Sequence, residues 1–227
     1  MHDPAQWVRA SRALYAKSFS AHGDALGSLL WGSEDAQRLR FAKLMLLGDL
    51  RGATLLDVGC GFADLYPVAC QAGVGAYTGL ELLGDIAGIA RRKHPQAEIL
   101  EGSLETLEQS RRFDFVVLSG VFNSGKPSFV TVEGTLRAMY ARCLRGMAAN
   151  FLSRYATGAF NVEGTYYEPS DMVRLAGQLS RRFSLAHDYR DNDFTLYVWR
   201  DAAHPGLEQL PGSIDDSGIA RQGQGIG

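Results

Sequence analysis

The sequence predicts an α/β protein built on a doubly wound, mostly parallel seven-stranded sheet that ends in an antiparallel hairpin. Apolar runs of strand length alternate with helical patterns from residue 54 onward, which is typical of parallel strands joined by crossover helices. The last two apolar runs, within residues 183–200, are separated by Asp-Asn-Asp, which predicts a hairpin. Residues 1–50 precede the sheet and read as amphipathic helices.

The clearest of these N-terminal helices lies in WGSEDAQRLRFAKLMLLGDL, residues 31–50. Ser33 is a typical capping residue, Glu34 and Asp35 favour the first turn, and Gly48 is expected to end the helix. The apolar positions predicted to form its buried face are Leu39, Ala42, Met45 and Leu46.

Five apolar runs are predicted to be the parallel strands. TLLDV at 54–58 shows no polar alternation, as expected for a strand that is buried on both faces. The other four runs are AYTGLE (76–81), AEILEG (97–102), FDFVVLSG (113–120) and GMAANFLS (146–153). Helices are predicted at about 63–72, 85–94 and 131–144, and a further helix opens at Pro169.

Composition narrows the possible functions. The chain has 23 Lys+Arg and 25 Asp+Glu, a formal charge of −2, which leaves no basic surface for nucleic acid and no polybasic membrane anchor. Its three cysteines lack CxxC spacing, so neither a metal site nor a disulfide framework is expected, and free thiols suit the cytoplasm. No apolar run is long enough to span a membrane, and the N-terminus has no signal-peptide pattern.

We expect three parts along the chain. Residues 1–50 form the helical segment, residues 51–200 form a ligand-binding α/β domain, and residues 201–227 form a poorly structured, glycine-rich tail.

A glycine turn follows the first strand and indicates the kind of ligand. A dinucleotide fingerprint reads G-x-G-x-x-G, and here Gly59 and Gly61 are followed by Asp64 at the third position. A carboxylate there would meet a pyrophosphate with like charge, which disfavours a nicotinamide or flavin cofactor. Asp57, at the strand end before the turn, suits a cationic or amine-bearing ligand instead.

A second acid, Glu81, ends the next strand, 24 residues after Asp57. An acid in this place can accept hydrogen bonds from both ribose hydroxyls. Glycines for close approach, an acid for an amine and an acid for a ribose together fit S-adenosylmethionine (SAM) better than a phosphorylated cofactor.

From these residues, the chain over about 35–200 resembles the class I SAM-dependent methyltransferases. The first family motif is matched by Leu55-Leu56-Asp57-Val58-Gly59-Cys60-Gly61, the second by Glu81 with Leu82 placed to touch adenine, and the fourth by FDFVVLSGVFN at 113–123. The third falls on GSL at 102–104. Many members carry Asp where this chain has Ser103, so recognition of the adenine amino group stays open. The resemblance implies SAM as cofactor, S-adenosylhomocysteine (SAH) as product, and Leu104 and Ser119 as further cofactor contacts.

The resemblance also implies where the methyl acceptor binds. Base-modifying members commonly carry a proline pair after the fourth strand, and Ser119–Asn123 has none, so we expect a small-molecule acceptor, aromatic or heteroaromatic, and not nucleic acid. The N-terminal helices would form a lid, as in small-molecule members. Candidate acceptor contacts are Tyr15, Trp31, Phe122, Asn123, Tyr166 and Tyr167, although Phe122 and the tyrosines could equally pack in the core.

The catalytic base and the partner of the SAM carboxylate each have two candidates. His22 in the lid is preferred to His187 as the catalytic base, and Arg40 or its neighbour Arg38 could pair with the carboxylate of SAM. The leading hypothesis is an O- or N-methyltransferase of secondary metabolism, monomeric or homodimeric. A nicotinamide-dependent oxidoreductase fails at Asp64 and lacks Tyr-x-x-x-Lys; a SAM-binding paralogue without activity is the other alternative.

Overall fold

The computed structural model describes residues 4–23, 29, 33–157 and 164–200, with only the backbone of residues 4–6. Helices alternate with strands, as predicted. The helices are α1 (Pro4–His22), α2 (Glu34–Leu44), α3 (Leu65–Gln71), α4 (Gly84–Lys93), α5 (Phe129–Arg142) and α6 (Pro169–Leu179). The strands are β1 (Thr54–Val58), β2 (Ala76–Glu81), β3 (Glu98–Glu101), β4 (Phe113–Leu118), β5 (Cys143–Ser153), β6 (Tyr166–Tyr167), β7 (Phe183–Arg190) and β8 (Asp193–Trp199).

One sheet carries the strands in the order β3-β2-β1-β4-β5-β8-β7, and β6 pairs with β5 beside this path. The first five strands run parallel, and β8 is antiparallel to both β5 and β7. The predicted doubly wound sheet with a terminal hairpin is therefore confirmed, and the two-residue β6 is an addition to it. The direction of winding reverses between β1 and β4, and open α/β sheets bind ligands at such a place.

The sheet is buried on both faces, as the absence of polar alternation in β1 predicted. Leu55 and Leu56 are both fully buried, but they belong to different hydrophobic clusters because consecutive residues of a strand face opposite sides. One cluster includes residues of α2, α3 and α4, and the other includes residues of α5 and α6.

The predicted buried face of α2 is wrong. Leu46 is 66% exposed and Ala42 is exposed, whereas Gln37 and Arg40 are buried. The helix ends at Leu44 and a 3-10 turn follows, so the later apolar residues do not continue its face. The prediction that Ser33 caps the helix is confirmed, since its hydroxyl accepts a hydrogen bond from the amide of residue 36 at 3.2 Å.

Two further predictions concern the boundary between α5 and β5 and the C-terminal tail. Cys143 was assigned to the helix preceding it, but α5 ends at Arg142 and Cys143 begins β5. The tail, 201–227, lies outside the described residues. Within the part of the chain that the structure describes, none of the helices combines the length and apolar character required to cross a bilayer.

Candidate functional site

A cavity of about 850 Å³ lies where the winding reverses. Its walls come from α1, α2, the start of α5 and the segments that follow β1, β2, β3, β4 and β5. This volume is in the upper part of the range of small-molecule sites. The site is therefore large enough for a ligand of drug size with room beside it.

The glycine turn forms one wall of this cavity. Gly59 and Gly61 have φ angles of +70° and +57°, a region that favours glycine. A Cβ at Gly59 would lie 2.4 Å from Val121 Cγ2, and one at Gly61 would lie 2.7 Å from Leu29 Cδ1. Both positions therefore favour glycine for the backbone conformation, and Gly59 also for the close approach of Val121.

Glu81 fixes the turn from the neighbouring strand. Its carboxylate accepts hydrogen bonds from the Gly61 amide and the Leu83 amide, each at 3.0 Å. Burial raises the pKa of Glu81, and these backbone hydrogen bonds oppose that effect. Because an ionised carboxylate offers about four lone-pair positions, each oxygen keeps capacity for a ribose hydroxyl.

Asp57 is the second buried acid of the cavity. It is 3% exposed, and the Tyr77 hydroxyl donates to its Oδ2 at 2.6 Å. Burial raises the pKa of Asp57 to about 7; the Tyr77 hydrogen bond opposes this shift, and the charges of Glu81 and Asp64 add to it. A cation bound beside Asp57 would favour its ionised form.

Asp64 is placed differently from the expectation. It lines the cavity, but it forms an ion pair with Lys93 and accepts a hydrogen bond from Gln37 Nε2 at 3.3 Å. Lys93 offsets its charge, so repulsion of a pyrophosphate is weaker than the sequence suggested. The case against a dinucleotide therefore depends on the absent third glycine more than on charge.

Arg40 also lines the cavity, and its guanidinium is anchored by a buried partner. Its Nη2 lies 2.6 Å from Asp193 Oδ1, and Asp193 is fully buried. Arg190, which the sequence reasoning missed, lies 3.4 Å from the other oxygen of Asp193, lines the cavity and has a 35% exposed side chain. Two cations share one carboxylate here, which leaves a net positive charge.

Comparison with known proteins identifies the fold, but it finds no match to a family model or to a curated sequence. No protein-family model matches the sequence, and no curated protein sequence matches it either. Among solved structures, magnesium protoporphyrin IX methyltransferase (ChlM) from Synechocystis PCC 6803 with bound SAM is 19% identical, covers 88% of this chain and 98% of that chain, and has a TM-score of 0.63. The chain has the class I methyltransferase fold.

Two further methyltransferases share this fold. The 1,6-didemethyltoxoflavin-N1-methyltransferase from Burkholderia thailandensis is 16% identical, with coverage of 88% of this chain and 91% of that chain and a TM-score of 0.65. The N-methyltransferase NodS from Bradyrhizobium japonicum WM9 is 11% identical, with coverage of 83% and 99% and a TM-score of 0.61. Both structures contain SAH.

In this methyltransferase fold, all nine predicted cofactor contacts come together at the cavity, whereas Arg38, the alternative to Arg40, is not among the residues that line it. The predicted residues that line it are Asp57, Gly59, Gly61, Glu81, Leu82, Ser103, Leu104, Ser119 and Arg40. Ser119 also donates to Asn150 Oδ1 at 2.9 Å, which ties the segment after β4 to β5.

The predicted acceptor contacts divide into two groups. Tyr15, Phe122, Asn123 and Tyr166 line the cavity. Tyr167 does not belong to the lining: it is buried, and its hydroxyl donates to the Phe122 carbonyl at 2.9 Å. Adjacent residues of a strand face opposite sides, so only one of the two tyrosines of β6 can face the cavity. Trp31 lies outside the described residues.

Neither candidate base is among the residues that line the cavity. His22 is exposed at the end of α1, where its Nδ1 lies 3.0 Å from the Ser18 carbonyl oxygen. His187 lies on β7 with its Nε2 2.6 Å from Ser153 Oγ. The preference for His22 rests on a lid formed by the N-terminal helices; residues 7–15 of α1 contribute to the cavity wall, but His22 lies beyond them at the end of the helix.

Sequence reasoning also missed Trp7 and Arg12 of α1, both of which line the cavity. The ring of Trp7 lies 5.5 Å from that of Phe122, and Arg12 Nη2 donates to the Leu82 carbonyl at 3.2 Å. Their spacing of five residues gives no motif, and only the packing of α1 places them. Among the described residues, no His, Cys, Asp and Glu side chains gather in threes or more in a way that could hold a metal ion.

Proposed function

We propose that this protein is a SAM-dependent methyltransferase that transfers a methyl group to an oxygen or nitrogen atom of a small aromatic or heteroaromatic molecule. One observation carries the proposal: two buried carboxylates, Asp57 and Glu81, lie beside a turn in which Gly59 and Gly61 adopt positive φ angles, at the winding reversal of a class I methyltransferase fold. The solved methyltransferases with this fold and bound SAM or SAH support it.

The residues present fit the adenosyl part of SAM. Glu81 has the lone pairs to accept hydrogen bonds from both ribose hydroxyls. Val121 and Leu29 already lie within 3 Å of the positions that a Cβ would take at Gly59 and Gly61. Leu82, Ser103 and Leu104 are our candidates for the adenine contacts. All of these residues line the cavity.

The residues present also fit the amino-acid part of SAM. Asp57 suits the cationic end of the molecule, because a buried carboxylate favours a positive partner. The net positive group formed by Arg40, Arg190 and Asp193 suits the carboxylate of SAM. Arg190 has the more exposed side chain of the two arginines, so we assign the direct contact to Arg190 and a supporting role to Arg40.

When bound, SAM supplies a methyl group that a nucleophile can displace in line from its sulfur. The protein must hold the acceptor in that line and exclude water, an effect worth on the order of 7–11 kcal/mol in favourable cases. Among the described residues that line the cavity there is no histidine, so we propose that the acceptor supplies a nucleophile that needs no histidine base. This proposal replaces the role given to His22.

Calorimetry with SAM tests the donor site. Glu81→Gln keeps one oxygen for a backbone amide but loses the second acceptor, so we expect affinity for SAM to fall about tenfold, the cost of one hydrogen bond to a charged group. Glu108→Gln, at an exposed glutamate, is the matched control and should bind as the wild type does. Equal affinity of Glu81→Gln and the wild type would refute the ribose assignment.

Mass spectrometry tests the activity. The protein is incubated with SAM and a panel of phenols, N-heterocycles and amines, and products heavier by one CH₂ group are sought. We expect such a product with the wild type and its loss with Glu81→Ala. Tight SAH binding without any product would favour the SAM-binding paralogue that lacks activity.

A further inference from the structure

Helix α1 lies against the segment that follows β4. Trp7 and Tyr15 are eight residues apart on α1, so they share one side of the helix, and this side faces residues 122–125. The ring centroids of Trp7 and Phe122 are 5.5 Å apart, and the hydroxyls of Tyr15 and Ser124 are 3.4 Å apart. We call this contact region, defined by Trp7, Tyr15 and 122–125, the lid seam.

Two N–H donors at the lid seam have no hydrogen-bond partner among the described residues. Trp7 Nε1 and Asn123 Nδ2 are both closed off from solvent and unpaired. The amide of Asn123 is oriented by its other end, because Oδ1 accepts from the Leu152 amide at 3.2 Å, so the nitrogen must remain the donor. Buried donors without partners are costly and rare in folded proteins, which makes two of them at one seam informative.

The surroundings of these donors define what could satisfy them. Trp7, Phe122 and Asn123 all line the cavity, and the acids Asp57 and Glu81 belong to the ends of β1 and β2 instead. At the rim, Val130 lines the cavity and is 62% exposed. A complementary ligand therefore has a flat apolar body. The edge that faces the two donors has atoms that accept hydrogen bonds and has no N–H or O–H group.

The contacts across the lid seam include a weak one. The Tyr15–Ser124 distance of 3.4 Å is long for a hydrogen bond between two hydroxyls. The remaining contact of the seam that involves rings, between Trp7 and Phe122, is tilted at 41°. A flat molecule that replaced these contacts could pair the two donors.

We propose that the lid seam is the acceptor subsite and that it selects planar molecules bearing a carbonyl oxygen or ring nitrogen, which Trp7 Nε1 and Asn123 Nδ2 recognise. This inference depends on the proposed methyltransferase function, whose acceptor it describes. Trp7 and Asn123 then set specificity, and the donor SAM is held elsewhere, by the residues proposed above at the ends of β1, β2, β3 and β7.

Binding to the protein loaded with SAH tests this inference without requiring turnover. The probes are 7-hydroxycoumarin, which carries a ring carbonyl, and 2-naphthol, a phenol of similar size without one. Affinities are measured by fluorescence titration. We expect the coumarin to bind about tenfold more tightly, since it can satisfy a buried donor that the naphthol leaves unpaired.

Variants of Trp7 and Asn123 test whether their N–H groups cause the preference for the coumarin. Trp7→Phe keeps an aromatic ring but lacks the N–H, and Asn123→Leu lacks the amide; each should reduce the preference for coumarin about fivefold while SAH affinity stays unchanged. Trp199→Phe is the control, because Trp199 Nε1 already donates to the Leu47 carbonyl at 2.6 Å and Trp199 is not among the cavity residues. It should leave the preference intact.

The outcomes separate the two proposals. If SAH does not bind, the proposed function fails. If SAH binds but neither probe does, or if both bind equally, the lid seam does not select molecules by their hydrogen-bond acceptors. If the preference exists and survives both Trp7→Phe and Asn123→Leu, the assignment of the two donors is overturned.

Discussion

Replacing Asp57 by Asn should make the stability of the unliganded protein less sensitive to pH. Burial raises the pKa of Asp57 from 3.8 to about 7, so the folded protein keeps this proton up to about neutral pH while the unfolded chain releases it near pH 4. The free energy of unfolding of the wild type therefore contains a contribution that is complete at acid pH and is lost as pH rises toward 7. Asn cannot titrate and lacks this contribution.

The magnitude follows from the shift. About three pKa units correspond to about 4 kcal/mol at 1.36 kcal/mol per unit. Between about pH 5 and about pH 8 the linkage relation leaves roughly 2.5 kcal/mol of this change. Relative to the wild type, the variant should thus gain roughly 2.5 kcal/mol over that interval, on top of a constant offset from the new amide.

Urea unfolding of both proteins at several pH values across this interval measures the effect. Asp85→Asn, at an exposed aspartate in the first turn of α4, is the control and should follow the wild type. Donor binding is a second readout: the variant should bind SAM more weakly at neutral pH, because it lacks the charge that faces the cation. A difference in unfolding free energy that stays constant with pH would refute the account of Asp57.

Three other predictions concern single positions. Arg40→Met should lower the free energy of unfolding by about 3–5 kcal/mol, because it leaves Asp193 buried without its main partner, and Arg40→Met with Asp193→Leu should recover much of that loss in thermal unfolding. Gly61→Ala should abolish or strongly weaken SAM binding in calorimetry, since the φ of Gly61 is +57° and a Cβ there would lie 2.7 Å from Leu29. The control Gly177→Ala in α6, where a Cβ meets only ordinary contacts, should bind SAM normally. Tighter binding by Gly61→Ala than by Gly177→Ala would contradict this prediction. His22→Ala should turn over at the wild-type rate in the mass-spectrometric assay, because His22 is exposed and absent from the cavity lining, and a large loss of rate would restore its role as base.

The fold could be predicted because its signals are local. Each parallel strand is a short apolar run, and the helices between them follow from periodicity and capping residues. The buried face of α2 was not predicted, because Gln37 and Arg40 are buried against partners, Asp64 and Asp193, that lie 27 and 153 residues away in the sequence. Polar residues with distant partners look like surface residues in a sequence.

Some residues of the candidate site could be predicted from local sequence signals and others could not. Asp57 and Glu81 stand at the ends of strands, and parallel strand ends meet at one edge of a sheet, so their proximity to a common cavity could be predicted. Trp7 and Arg190 reach the same cavity from α1 and from the terminal hairpin, and no spacing rule connects those segments to β1. The opposite orientation of Tyr166 and Tyr167 depends on a two-residue strand that sequence patterns do not reveal.

Calorimetric titration of the wild-type protein with SAH and, separately, with NAD⁺ tests the central claim most directly. The account predicts one SAH bound per chain and no heat of binding from NAD⁺, since we propose that Asp57 and Glu81 bind a ligand with an amine and a ribose, and Asp64 stands where a dinucleotide turn has its third glycine. Binding of NAD⁺ in the cavity, or the absence of any SAH binding, would contradict it.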